Sequence, residues 1–487
     1  MADRETSFHW LRPLVFLGRN SASLIGAVLA TSTGFTLVSF WAFQLITNAH
    51  IPPYFGVIFY LLLPILFVLG LILIPLGVLW RRHKLRAARA LPSVYPRIDF
   101  HDPILRRTFY WVAGLTVLNV VMVGSASYRG VEYMDSVSFC GQTCHTVMQP
   151  EYTAYLNSPH SRVECVSCHI GPGASWFVKS KLSGVRQVLA VTLHTYETPI
   201  PSPVENLRPA QETCEQCHWP EMFQGDKLLI KTSFGDDEKN TPATTVLMMK
   251  VGGMTWERAV GIHGRHLDPA RRVKYWPSDR ARQQIARVSY VEDDGSVVEF
   301  NATDSKLTPD EFAKIEPRSM DCVDCHNRPT HTFPLAGEAL DKAMSMNHID
   351  PSIPFIKKKA LEALQAQYLD RETAQRQISA TLDTFYRTNY PEIFQKQKKT
   401  LDTAFEEVKN IYLRNVFPEM KITWGTYVNN IGHMNSPGCF RCHDGNHVSK
   451  DGRQITQDCS ACHALLAVQE QNPQILTQLE IRNMGSR

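Results

Sequence analysis

The sequence predicts three membrane-spanning helices, followed by a mostly α-helical, loop-rich domain with a small β insert. Three observations carry this. Three uncharged apolar stretches precede the first cysteine. All 12 cysteines then fall into pairs, each followed directly by histidine. A cysteine-free insert between those pairs has alternating apolar segments.

The first stretch, Leu24 to Ile46, is long enough to cross a bilayer core of about 30 Å. Tyr54 to Trp80 is longer, and Phe109 to Ala126 is shorter and less apolar. A buried helix or a cleaved leader would also be apolar. Two long spans joined by the short uncharged turn Thr47 to Pro53 argue against both. Lysine and arginine set the orientation. The turn has none, whereas Arg4, Arg12 and Arg19 precede the first span. Arg81, Arg82, Lys84, Arg86, Arg89, Arg97, Arg106 and Arg107 follow the second. The N-terminus and that basic loop are therefore expected in the cytoplasm, with everything after the third span outside it. His9, His50, His83 and His101 lie outside the spans, so no haem b is expected within the bilayer.

Five cysteine pairs share one form. They are Cys165-Val-Ser-Cys168-His169, Cys214-Glu-Gln-Cys217-His218, Cys322-Val-Asp-Cys325-His326, Cys439-Phe-Arg-Cys442-His443 and Cys459-Ser-Ala-Cys462-His463. Two thiols that add to the vinyl groups of haem, with the next histidine under the iron, require this spacing. Zinc also takes paired cysteines, but it needs no histidine directly after each second one. Disulfides across two residues are redox bridges rather than structural ones. Cys140 and Cys144 remain, with His145 directly after them, and three residues separate them instead of two. No other cysteine is left to partner them, so they are read as a sixth haem site. The fold class is thus a membrane-anchored multihaem cytochrome c with six covalently bound haem c groups. Bacterial covalent haem is attached outside the cytoplasmic membrane, which agrees with the orientation. A net charge of +4 on 487 residues makes nucleic acid a poor partner.

The stretch from Phe139 to Gly173, "FCGQTCHTVMQPEYTAYLNSPHSRVECVSCHIGPG", resembles the NapC/NirT family of membrane-anchored quinol-oxidising c-type cytochromes. The likeness rests on the anchor helix before the first motif, Met148 after His145, the "SPH" segment with His160, and Gly-Pro after the second motif. It covers roughly Phe109 to Pro220. The longer form with extra C-terminal haems resembles the inner-membrane cytochromes of metal-respiring bacteria. The longer first motif and the three spans depart from the family pattern. Ala174 to His194 places Phe177, Val178, Leu182, Val185, Val188 and Leu189 at helical spacing, with Lys179 and Arg186 on another face. A core helix or a helix lying in the headgroup region would both read this way, and the resemblance favours the interface.

Distal ligands are sought among the other histidines. His331, His433 and His447 lie within a few residues of a motif. His160 matches the family segment, and His263 and His266 cluster in "GIHGRH". Met148 is a candidate for the first haem, where it would raise the potential. His194 and His348 are assigned other roles.

Two inserts separate the haem clusters. "IARVSYVEDDGSVVEF" reads as a hairpin turning at Asp294-Gly295. "FIKKKALEALQAQYL" and "TLDTAFEEVKNIYL" carry apolar residues every three or four positions. Neither insert shows a nucleophile–base set or a phosphate loop, so both are read as scaffold. The predicted organisation is a membrane domain (1–126), a haem domain with the first three haems (127–226), a β-containing insert with the fourth (227–334), a helical insert (335–420) and a two-haem C-terminal segment (421–487).

The resemblance implies a quinol dehydrogenase of the cytoplasmic membrane, drawing on the quinol pool and serving a periplasmic acceptor protein or partner subunits. Glu132, Asp135 and Glu151 are candidate proton acceptors, and Lys179 and Lys181 candidate holders of the quinol oxygen. An electron-relay subunit with its quinone site in another chain, or a terminal reductase of a small anion, are the alternatives.

Overall fold

A computed structural model describes residues 11–47, 58–95, 101, 103–143, 145–171, 173–204, 207–219, 225–254, 259–269 and 273–481. The chain forms two compact units. One is built from Met1–Phe139 and Cys165–Arg186, the other from Cys140–Glu164 and Gln187–Arg487.

The first unit holds three long helices, Ser21–Thr47, Leu63–Ala87 and Pro103–Asp135. Among the described residues, Ser21–Phe40 and Leu63–Ala87 are long and apolar enough to cross a membrane. The turn expected after Thr47 and the start of the second span at Tyr54 lie outside the described residues. The second helix runs past Trp80 and carries the exposed His83 near its end. The third helix has 33 residues, about 50 Å at 1.5 Å per residue. Arg106 and Arg107 at one end and Arg129, Glu132 and Asp135 at the other flank its uncharged Phe109–Ala126 stretch.

Small residues let the first two helices approach closely. A Cβ on Gly70 would sit 2.7 Å from the Ala30 backbone nitrogen, and one on Gly26 would sit 2.8 Å from the Gly70 carbonyl. Ser23 Oγ donates to the Ile74 carbonyl at 2.9 Å. Thr31 and Thr116 hydroxyls meet at 2.9 Å and join the first helix to the third. Ile65, Val68, Leu69, Ile72, Leu76 and Leu79 stay exposed on the second helix. In water such a face is costly, and in lipid it is the expected surface.

In the second unit, β1 (Lys227–Phe234) and β2 (Pro242–Met249) form an antiparallel pair with Lys227 opposite Met249. A two-residue pair follows, β3 (Gly253–Met254) with β4 (Ala259–Val260). Then come β5 (Lys274–Pro277), β6 (Ile285–Val291), β7 (Val297–Ala302) and β8 (Arg318–Ser319). The β6–β7 hairpin turns where the sequence predicts, with Gly295 at φ +84° and its N–H donating to the Glu292 carbonyl. That backbone region suits glycine. Two strands come from far downstream. β9 (His447–Ser449) adds to β7, and β10 (His463–Glu470) adds to β2. The sheets therefore run β1-β2-β10 and β8-β5-β6-β7-β9.

Helices Ala336–Ser345, Ile356–Gln365, Arg371–Asn389 and Lys398–Asn415 surround the largest apolar core. Ala374, Ile378, Leu382 and Tyr386 recur every fourth residue and are fully buried. Each such large side chain contributes about 1.5–3 kcal/mol of burial. Asp370 caps the third of these helices by accepting from Thr373 N at 2.6 Å. Buried Asn240, in the β1–β2 turn, donates to the Pro351 and Ile353 carbonyls and accepts from Lys357 N. It fixes the hairpin to the helical core.

Candidate haem centres

Four of the five regular motifs lie on a short helical turn, while in the third Cys214 ends the helix Gln211–Cys214. Cys165–His169, Cys322–Cys325 and Cys459–Cys462 are short α-helices, and Gly438–Arg441 is a 3-10 turn. Residues three apart share a face, so one turn turns both sulfurs the same way. His218, His326 and His443 N–H each donate to the carbonyl of the first cysteine of their motif, at 2.8, 2.8 and 3.1 Å. That bond holds the histidine beside the two sulfurs.

The first motif is built differently. Cys140 belongs to the helix Val137–Gln142, and His145 opens the helix His145–Leu156. The extra residue falls at the break between them. Cys144 and the His145 side chain lie outside the described residues. Gly141 is buried against Tyr152, whose ring would lie 2.3 Å from any Cβ there.

Four motif histidines face a second imidazole. Ring centres are 6.0 Å apart for His160 and His218, and 6.3 Å for His263 and His326. They are 5.9 Å apart for His266 and His443, and 6.2 Å for His433 and His463. Metal–imidazole bonds of about 2.0 Å, plus about 1.1 Å from nitrogen to ring centre on each side, put two axial imidazoles roughly 6 Å apart. The spacing fits an iron between each pair. Nδ1 of His266 bonds the Ile262 carbonyl and Nδ1 of His443 the Thr456 carbonyl, both at 2.7 Å. Each such bond orients the ring and leaves Nε2 for a metal. Burial lowers the pKa of His263, His266 and His326, which keeps them in the neutral form that ligates. Among the described residues, Nδ1 of His160 and of His463 are buried with no hydrogen-bond partner, as in sites completed by a bound group.

His447 does not follow its sequence reading. Its Nδ1 bonds Asp444 and its Nε2 bonds the Ile285 carbonyl, both at 2.9 Å. Both nitrogens are spent on protein, so His447 locks β9 against β6 instead of serving an iron. His331 bonds the Glu151 carbonyl through Nδ1 at 2.9 Å, which orients its ring.

The profile of the NapC/NirT cytochrome c family, N-terminal region, matches residues 105–205. Cytochrome c-type protein ImcH of Geobacter sulfurreducens is 44% identical over 456 residues, spanning 93% of this chain and 89% of that protein. The chain belongs to the NapC/NirT family of c-type cytochromes. Cytochrome c-type protein NrfH of Wolinella succinogenes is 30% identical over 93 residues, 18% of this chain and 52% of that protein. No solved structure matches the chain. This cytochrome is a membrane-anchored electron-transfer protein that binds haem c covalently.

The motifs of the cytochrome are tied to one another by residues that motif reading passes over. Asp321 accepts from Cys322 N at 2.6 Å and from Ala210 N, just before the third motif, at 2.8 Å. Asp324, inside the fourth motif, is buried and accepts from Tyr275 Oη at 2.7 Å and Arg318 Nε at 3.0 Å. Burial of Tyr275, and then the Asp324 charge beside it, push the Tyr275 pKa up. Arg441, inside the fifth motif, donates to the Asp324 carbonyl at 2.6 Å. The Cys214 side chain adjoins Cys322, and Cys439 lies close to both Cys325 and Cys462. The third to sixth motifs thus follow one another in space as they do in sequence. The only sequence signal for these ties is a charged residue between two motif cysteines.

The candidate quinol residues fall in different settings. Glu132 pairs with Arg129 at 2.9 Å on an exposed helix face, and Asp135 ends that helix half-buried. Lys179 lies over the Trp176 ring at 4.4 Å, while the Lys181 side chain is outside the described residues. Leu182, Val185, Val188 and Leu189 are exposed along the Ala174–Thr192 helix. Glu151 is engaged by Arg328, at 2.9 and 3.2 Å to its two oxygens. Arg328 also lies over the Tyr427 ring at 3.8 Å and donates to the His331 carbonyl at 2.6 Å. Glu151 therefore anchors the first motif's helix to the loop after the fourth motif. Met148 lies three residues after His145 on one helix. Residues at that spacing start on one face of a helix.

Proposed function

We propose that this cytochrome is a quinol dehydrogenase with three transmembrane helices and six c-type haems, passing electrons to a periplasmic acceptor. The single observation that carries the reading is the set of four imidazole pairs. Irons closed on both faces shuttle electrons and bind no small anion, which weighs against a terminal reductase. The haem supplies the redox change, and the chain sets its ligands, burial and spacing. The first two helices meet the membrane criteria. The third carries exposed Phe109, Tyr110, Trp111, Val117 and Val121 and joins the first through Thr31. Its tail leads within a few residues to Cys140, so the first haem is tethered near the interface and is the entry point. The apolar face of Ala174–Thr192, with Lys179 beside it, suits the headgroup region and a quinol head. The basic end of Leu63–Ala87 belongs on the cytoplasmic side.

The test is haem reduction by quinol in the purified, detergent-solubilised chain. Reduction by quinol is expected, and Met148→Ala should slow it several-fold while reduction by dithionite stays intact. A wild-type chain that dithionite reduces but quinol does not would move the quinone site to a partner subunit.

A further inference from the structure

We propose that the Gly261–Leu267 helix is a two-headed ligand. His263 closes the fourth motif's iron opposite His326, and His266 closes the fifth motif's iron opposite His443. The inference rests on the reading that both motifs carry haem. One turn of helix, between motifs far apart in sequence, then holds two irons side by side.

Four observations converge. The two ring pairs are 6.3 and 5.9 Å apart, as two imidazoles about one metal require. Residues three apart start about 5–6 Å from each other on one face, so they reach neighbouring irons and cannot both serve one from opposite sides. The two motifs are neighbours by separate contacts, through Arg441 on the Asp324 carbonyl and through Cys325 beside Cys439. His266 and His443 both have Nδ1 committed to a carbonyl, which aims both Nε2 atoms inward.

The helix is also fixed in place. Ile262 N and His263 N donate to the Lys250 and Val251 carbonyls, each at 3.0 Å. Gly252 and Gly261, both at positive φ, cross backbone to backbone, and a Cβ on Gly261 would lie 2.7 Å from Gly252 Cα. Lys250 reaches the sixth motif as well, donating through N to the Cys462 carbonyl at 2.8 Å and through Nζ to the Ser460 carbonyl at 2.7 Å. A short helix so clamped can hold both imidazoles in fixed places.

The experiment compares His263→Ala, His266→Ala and paired variants in the full chain, by intact mass and by electron paramagnetic resonance. Each single variant should keep every haem and turn one low-spin haem high-spin. Added imidazole should restore the low-spin signal, which a merely structural residue would not allow. His266→Ala with His443→Ala should disturb one haem, and His266→Ala with His326→Ala should disturb two. An unchanged low-spin spectrum in either single variant overturns the proposal, as does one haem disturbed by both single variants. A wild-type mass short of haem at the fourth or fifth motif would instead sink the underlying haem reading.

Discussion

Between Ala336 and Val416, apolar side chains such as Leu340, Ile356, Ile378, Leu382 and Val408 are wholly shielded from water. Between Tyr427 and Ala467, among the described residues, no apolar side chain is buried, and Ile431, Met434 and Phe440 are exposed. Both segments have defined backbones, yet only the first contains a core of its own. The second leans Cys442 and Ile455 on the Val273, Tyr275, Ile285 and Val288 cluster and is otherwise held by polar ties, such as Arg441 to the Asp324 carbonyl and Asn430 to the same carbonyl at 3.1 Å. A segment that short cannot bury enough of its own surface to fold alone. On the proposed reading, two haems bonded through Cys439, Cys442, Cys459 and Cys462 would supply the apolar mass around which it condenses. The difference teaches that, on this reading, the prosthetic group would be structural material where buried side chains are few.

The strongest way to break that contrast is to remove a haem. Replacing Cys439 and Cys442 by alanine should lower the mass by one haem and open the 428–466 segment to limited proteolysis, while 335–420 stays resistant. A protease-resistant C-terminal segment without its haem would refute the contrast. The next largest effect is in the insert. Leu382→Ala removes a wholly buried side chain and should cost about 2–5 kcal/mol in denaturant unfolding followed by circular dichroism. The haem absorption spectrum should not change. The smallest effect sharpens the border between the two regimes. Arg328→Ala strips Glu151 of its guanidinium and uncovers the Tyr427 ring, and should cost about 1–3 kcal/mol. Because Arg328 links the first motif's helix to the loop after the fourth, the loss should appear in thermal unfolding followed at the haem band.

What was legible in the sequence was what chemistry makes local. Cysteine spacing, the Asp294-Gly295 turn and the three-to-four apolar rhythm of the insert each involve residues close in the chain. The structure has strands and helices at the last two. Pairings across long separations were not legible. Closeness to a motif pointed to His447, but its nitrogens hold Asp444 and Ile285, a carbonyl 162 residues away. His433 precedes the fifth motif, yet its ring faces His463 of the sixth and stacks on Phe440 at 4.3 Å. β10 joins β2 across more than 200 residues, and an exposed pattern such as "HALLAVQE" carries no sign of its partner.

In all four facing pairs, the imidazole outside the motif comes earlier in the chain: His160 before His218, His263 before His326, His266 before His443 and His433 before His463. On the proposed orientation, export amino end first delivers these rings ahead of the cysteines they face. Each newly attached haem would then meet its second imidazole already across the membrane, so maturation can proceed from one end to the other without waiting for later sequence. Moving a ring such as His433 to a position downstream of His463 would keep the finished spacing and yet reverse that timetable.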